Sequence, residues 1–263
     1  LEVHDIDFLD WSLSNGNDTR HFDAVVGNPP FVRYQYLSSG QQELARRIFE
    51  QSNLLFTKLT NAWVPFIVAS VKLLRPGGRL AMVVPSELLH VSHAKPLRRL
   101  LLKHCSKILI VDPTDLWFDK VLQGIVLVLA EKKSAAAGAD LGVGIFASRD
   151  RKILHQSPSA LFDQVEWVTE DELNGKWMPA LLSKKERSII KELRQRPQVL
   201  PFGRIARVDV GIVTGANEFF LVPDSVVEAY GLRAWAHPIF GRASHVRGVI
   251  YDEDSHAYNA RQG

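Results

Sequence analysis

The sequence predicts an α/β fold, a sheet with helices on both of its faces. Short apolar runs at residues 22–27, 79–84, 107–111 and 124–130 have the length of buried strands. Helical patterns at 41–51, 61–74 and 95–104 fall between them. Strands that alternate with helices argue for a sheet covered by those helices.

Taken in order, residues 22–27 (FDAVVG) make a strand that breaks into the rigid turn Asn28-Pro29-Pro30. Residues 41–51 form a fairly polar helix. Residues 61–74 (NAWVPFIVASVKLL) form a mostly buried one, with Pro65 near its start, where proline is tolerated. Arg75-Pro76-Gly77-Gly78 ends that helix. Residues 79–84 are a strand closed by Pro85, and Ser86 is placed to cap the next helix. Residues 95–104 (KPLRRLLLKH) read as a basic amphipathic helix. The strands at 107–111 and 124–130 have no crossover helix between them and are expected to pair antiparallel as a long hairpin. Small residues at 132–140 (KKSAAAGAD) read as a linker. Beyond it come a strand at 165–169, a charged helix at 183–195 and strands from about Arg204. Ser225 to Glu228, after Pro223, has the spacing of a capping box.

Composition excludes several classes. The 263 residues are 46% hydrophobic and 23% charged, an ordinary globular balance. The longest apolar runs, such as GIVLVLA, are far too short to cross a bilayer. A single cysteine, Cys105, excludes an intramolecular disulfide and a cysteine-cluster metal site, which fits a cytoplasmic setting. Net charge is +3 and the pI about 9.0, a mild basic excess compatible with nucleic acid. The chain opens on Leu1 without a signal peptide and is expected to be a piece of a longer protein.

The chemistry concentrates in Asn28-Pro29-Pro30-Phe31, directly after the first strand. At average usage such a string arises by chance roughly once in several hundred chains of this length. It suits methyl transfer to an amine conjugated with a heteroaromatic ring, whose lone pair is delocalised. Two acceptors aimed at the amine hydrogens favour a pyramidal nitrogen and free that lone pair. The Asn28 carboxamide oxygen is one acceptor and the Pro29 carbonyl the other. Pro30 keeps Pro29 extended and both rings fix φ, so that carbonyl is held in place. The effect is electrostatic preorganisation. Phe31 offers a ring face for stacking on a purine.

The string resembles the catalytic motif of amino-group methyltransferases that use S-adenosylmethionine. The layout is similar to the gamma-class adenine-specific DNA methyltransferases of restriction–modification systems. That resemblance implies a partial Rossmann-like methyltransferase sheet over 1–133, a connecting segment over 134–200, and the start of a mixed α+β target-recognition domain over 201–263. It implies duplex DNA with a flipped adenine as partner, and a fused or separate restriction endonuclease as companion. Asp7-Phe8-Leu9 resembles the family's acidic motif. Asp7 and Phe8 are then cofactor contacts, the one bonding the cofactor's adenine amine and the other packing beside its ring, and Asn28 of the catalytic string is counted with them; an ordinary surface aspartate is the alternative for Asp7. Residues 73–80 and Val83-Val84-Pro85-Ser86 resemble the scaffold that follows the catalytic motif. Trp117-Phe118 resembles a later aromatic motif, which makes Phe118 either a contact to the flipped base or a core residue. Residues 211–217 (GIVTGAN) resemble the opening of the recognition domain, against a plain turn.

The family's glycine-rich cofactor loop is absent and is expected upstream of Leu1; Gly77-Gly78 precedes a strand and is no substitute. Asn61 stands where relatives often carry an acidic residue. His90, His93 and His104 lack the ligands of a metal site, so none is expected. The basic residues Lys95, Arg98, Arg99, Lys103 and Lys107 read as a solvated helix face rather than phosphate contacts. Those of 184–196 are candidates for touching backbone phosphates. Two other functions stay open: methylation of RNA bases or protein glutamine, and a non-catalytic DNA-binding or specificity fragment.

Overall fold

The computed structural model describes residues 2–15, 21–57, 60–113, 124–135, 138–173, 175–207, 212–239, 246, 250 and 252–262. The chain divides into two compact units, Leu1–Val199 and Leu200–Gly263.

The first unit is built on one five-stranded sheet in the order β1-β2-β4-β3-β5. Its strands are β1 (Phe22–Gly27), β2 (Leu74–Pro85), β3 (Cys105–Pro113), β4 (Ile125–Lys132) and β5 (Gly142–Ser148). β1 runs parallel to β2 and β3 parallel to β5, while β4 is antiparallel to both of its neighbours. β3 and β4 pair antiparallel as expected. They do not form a free-standing hairpin, because β4 inserts between β2 and β3. Four helices cover this face: α3 (Trp63–Leu73) packs against β1 and β2, α4 (Lys95–His104) packs against β3, and α1 (Phe8–Asn15) and α2 (Ser39–Gln51) pack on α3 and on one another.

Period-two alternation divides the strand side chains between the two faces. Leu80, Met82, Val84, Val126, Val128, Ile108 and Ile110 join α3 and α4 in the main core. Leu109, Val111, Leu127 and Leu129 face the other way, onto Ile153 and Leu161 in the segment containing α5 (Pro158–Phe162). Further along the chain lie α6 (Glu170–Leu173), whose Leu173 joins the main core, and α7 (Lys184–Gln195), which has no buried residue. Ser183 and Glu186 close a capping box at the start of α7. Together these features make the partial Rossmann-like α/β arrangement that the resemblance implies.

Several local expectations give way to longer-range bonds. The turn Arg75 to Gly78 does stop α3, yet it already belongs to β2. A Cβ on Gly78 would lie 2.9 Å from the Arg75 carbonyl oxygen and 3.0 Å from that of Phe22, so the chains approach there as closely as glycine allows. Ser86 does not cap a helix. It opens a 3₁₀ turn over Ser86–Leu89, and its amide donates to the Gly124 carbonyl at 2.9 Å. The small-residue stretch at 132–140 does not lead out of the sheet, because β5 returns alongside β3. The strand at 165–169 reduces to a single bridge between Val143 and Val168.

The second unit contains α8 (Asn217–Phe220), α9 (Asp224–Ala229) and α10 (Glu253–Gln262). Among its described residues there is no strand, so those expected from about Arg204 are not found there. Ser225 lies inside α9 rather than capping it. Gly215 takes φ +73°, the left-handed value that favours glycine, just before α8.

Candidate active site at the end of the first strand

β1 carries its chain to Gly27, and Asn28 begins the loop beyond it. Pro29 is buried under the loop while Asn28 and Pro30 are exposed. Phe31 is 38% exposed. Among the described residues, neither the Asn28 carboxamide nor the Pro29 carbonyl meets a protein hydrogen-bond partner. The two acceptors proposed from sequence are therefore free.

Three bonds hold the loop against the helices. The Ala62 amide, at the start of α3, donates to the Val32 carbonyl at 2.8 Å. The Gln42 carboxamide, on α2, donates to the carbonyls of Tyr34 at 3.2 Å and Leu37 at 3.0 Å. α2 is itself fixed by a capping box between Ser38 and Gln41. The Tyr34 ring meets Phe56 edge-on with centroids 5.0 Å apart. Stiffness within the motif comes from proline, and stiffness behind it from these anchors.

The neighbouring strand ends supply further polar groups. Asn61 Nδ2 donates to the Glu87 carboxylate at 3.0 Å, which joins the base of α3 to the turn after β2. The Ser86–Gly124 bond ties the same turn to the start of β4. At the end of β3, burial pushes the Asp112 carboxyl above the ordinary carboxylate range. Sequence reasoning did not pick out Glu87 or Asp112. Glu87 had one signal, an acid directly after Pro85-Ser86 where Asn61 replaces one.

Asp7 caps α1: its Oδ1 accepts from the Leu9 amide at 2.8 Å. Phe8 is half-buried and stacks on Phe66, one turn into α3, with centroids 5.4 Å apart. A cavity of about 470 Å³ runs beside it, lined by Ile6, Phe8, Trp11 and Phe22 among others. Trp117 and Phe118 lie outside the described residues, as does Gly211. Arg98 departs from the expected solvated face. It is 2% exposed, and its guanidinium donates to the carbonyls of Leu88, Val91 and Gly175 at 2.8–3.0 Å. It fastens the 175 segment to the turn after β2. In α7, Arg187 bonds the Leu182 carbonyl and Glu166. Among the described residues no group of three histidine, cysteine or acidic side chains is arranged to hold a metal, and no helix is long and apolar enough to cross a membrane.

Two family models match successive parts of the chain. The Eco57I restriction-modification methylase model matches residues 2–117, and the model of the C-terminal domain of the type II methyltransferase M.Eco57I matches residues 174–263. The chain is 24% identical over 211 residues to the type II methyltransferase M.AccI of Acinetobacter calcoaceticus, covering 78% of this chain and 37% of that protein. It is 23% identical over 240 residues to the type II methyltransferase M.BstVI of Geobacillus stearothermophilus, covering 84% and 41% respectively. The chain thus spans about two fifths of the length of these relatives. Among solved structures, the DrdV–DNA complex superposes with a TM-score of 0.50 at 16% identity, over 84% of this chain and 25% of that one. At that identity the likeness speaks for the fold.

Proposed function

We propose, from the premise that the chain belongs to the restriction–modification methylases of the Eco57I type, that it presents the acceptor amine in an S-adenosylmethionine-dependent DNA methyltransferase. The acceptor in this reading is the exocyclic amine of an adenine turned out of duplex DNA. One observation carries it: a proline-stiffened loop at a strand end with two unoccupied acceptors, Asn28 Oδ1 and the Pro29 carbonyl.

Each acceptor takes one N–H of the amine. Bonding both hydrogens out of the ring plane draws the nitrogen toward a pyramidal shape and concentrates its lone pair. Neither oxygen is a base at neutral pH, so the pair orients the amine and stabilises developing positive charge without removing a proton at the outset. Phe31 stacks on the base and Phe118 is assigned its other face. The bonds from Ala62 and Gln42 keep the loop from relaxing when the base arrives.

The cofactor reading rests on Phe8 and Asp7. Phe8 offers a ring beside a cavity large enough for a heterocycle, and Asp7 Oδ2 accepts no bond from the described residues. When bound, S-adenosylmethionine supplies an electrophilic methyl carbon on a sulfonium. Asp7 and Phe8 would hold its adenine. The same reading assigns residues 1–133 to the catalytic domain, 134–200 to the connection and 201–263 to the beginning of a target-recognition domain. It places the enzyme in the cytoplasm beside a fused or separate restriction endonuclease.

The test uses the full-length parent enzyme with S-adenosylmethionine labelled in its methyl group. Duplex DNA, ribosomal and transfer RNA, and whole protein are offered in parallel. Label in DNA, recovered as N6-methyladenine on nucleoside mass spectrometry, is expected. Label confined to RNA or to protein glutamine would move the assignment to those acceptors.

A further inference from the structure

The Asn28 loop is anchored through the start of α3, and that start lacks a side-chain cap. Ala62 stands at the N-cap position and offers no acceptor there. Its amide instead donates to the Val32 carbonyl at 2.8 Å, in the loop that Asn28 opens. Trp63 and Val64 bury the apolar side of this first turn. Such burial holds the turn to the core but is non-directional. A hydrogen bond supplies the direction: Asn61 Nδ2 donates to the Glu87 carboxylate at 3.0 Å, and both residues are half-buried. The turn that carries Glu87 is itself fixed on several sides. The Ser86 amide donates to the Gly124 carbonyl at 2.9 Å, and the Trp177 amide to the Leu89 carbonyl at 2.8 Å. Buried Arg98 donates to the carbonyls of Leu88 at 2.8 Å and Val91 at 3.0 Å. Leu88 and Leu89 belong to the main core.

We propose that Glu87 is a positioning residue of the methyl-transfer site, acting through Asn61 without touching the acceptor base. The proposal rests on the reading of Asn28 and Pro29 as the two acceptors of the amine. A path of bonds runs from the fixed turn to the Glu87 carboxylate and on to the Asn61 carboxamide. The adjoining Ala62 amide carries it to the Val32 carbonyl. Between Val32 and Asn28 the chain passes through Pro29, Pro30 and Phe31. Both proline rings fix φ, so a shift of Val32 reaches the two acceptors instead of being absorbed on the way. The charge of Glu87 suits its place. An anion is favourable at the positive end of a helix, and α3 begins beside it. A charged acceptor also makes the bond from Asn61 stronger than a neutral one would. A helix support would need no more than this. The loop adds the consequence, because a displacement of about 1 Å in groups that orient a reacting atom is enough to slow the reaction steeply.

Single-turnover methylation of duplex DNA by the full-length parent enzyme tests it, with the dissociation constants for DNA and S-adenosylmethionine and the thermal midpoint measured alongside. E87A and N61A are each expected to slow methyl transfer by about 10–100-fold while both dissociation constants stay at the parent's values. E87A/N61A should be no slower than either single variant, since the two side chains act as one unit. E87Q keeps an acceptor for the Asn61 carboxamide and should recover most of the rate. N61D sets two carboxylates together and should be slow. In N61D/E87Q the carboxylate and the carboxamide trade places, and the rate should return. If E87A folds poorly, that exchange still decides, because both of its substitutions keep the size of the side chain. A lower thermal midpoint with an unchanged rate would make Glu87 a helix support and overturn the proposal. Additive losses in E87A/N61A, no recovery in N61D/E87Q, or cofactor affinity lost in E87A alone would overturn it too. N28A separates the two readings. If N28A methylates as the parent does, the acceptor reading fails and takes the proposal with it. If N28A is slow while E87A keeps the parent's rate, the positioning role alone fails.

Discussion

β1 and β4 read alike in the sequence, FDAVVG against IVLVLAEK, and the fold treats them oppositely. β4 lies between β2 and β3 with hydrogen-bonded neighbours on both sides. Its Val126 and Val128 face one core, and its Leu127 and Leu129 face the other. Among the described residues β1 has β2 on one side only, and Val26 is 78% exposed. The strand with no proposed chemistry is the covered one, and the strand that carries the Asn28 loop stands at the edge. An apolar run records that a strand can be buried; the neighbours it finds decide whether it is. Here the covered strand supplies rigidity, and the edge strand delivers a loop whose acceptors stay open.

The largest effect should come from charging the covered strand. Val128 is 0% exposed, so Val128→Asp places an unpaired carboxylate in the core. It should cost more than about 4 kcal/mol and abolish the cooperative thermal transition. Next comes Asn28→Ala in the methylating parent enzyme. Single-turnover methylation should fall by about 10²–10³-fold, as when an oriented acceptor or donor is lost from a transition state. The thermal midpoint should stay within error of the parent's. If Asn28→Ala destabilised the chain as Val128→Asp does, the loop would be packing and not presentation.

Gly78→Ala tests the seam where β1 joins β2. The new methyl would meet the backbone oxygens of Arg75 and Phe22, and the strain should cost about 1–3 kcal/mol in urea unfolding. A loss confined to alkaline pH is expected at the foot of β4, where Lys132 pairs in register with Cys105. Burial pushes the Cys105 thiol from 9.0 up to about 12. The unfolded chain therefore gives up that proton before the folded one does. The thiol's contribution is intact below pH 9 and is lost as pH rises toward 12, at roughly 1.4 kcal/mol per pH unit. Cys105→Ala should flatten this alkaline decline in a series of chemical denaturations.

Much of the fold was legible because its causes are local. The apolar runs of α3, β3 and β4 and the stiffness of Pro29-Pro30 are set by covalent structure or by side chains a few positions apart. The β3–β4 pairing of consecutive strands was legible, but the pairing of β4 with β2 was not, since it spans a long stretch of chain, Arg79 to Glu131. Ser86 looked like a cap because the Gly124 carbonyl that claims its amide lies far along the sequence. Arg98 looked solvated because the three carbonyls that surround it come from two separate segments. The Asn61–Glu87 bond escaped for the same reason. At the site, residue types pointed to Asn28 and Pro29, and only the coordinates show that the oxygens of both are free.

The smallest effect belongs to the edge strand and tests the contrast most directly. Val26→Asp changes the same residue type to the same charge as Val128→Asp, in the same sheet. Because Val26 stands in solvent, the substitution should shift the unfolding free energy of this chain by no more than about 0.5 kcal/mol. The carboxylate keeps its water there, and the ladder to β2 loses no hydrogen bond, since Val26 pairs with Ala81 through the backbone. The same substitution in a longer chain that covers this edge would desolvate the carboxylate and cost several times more. A large loss in the present chain would mean that β1 is packed on its outer face, and its apolar run would then carry stability as that of β4 does.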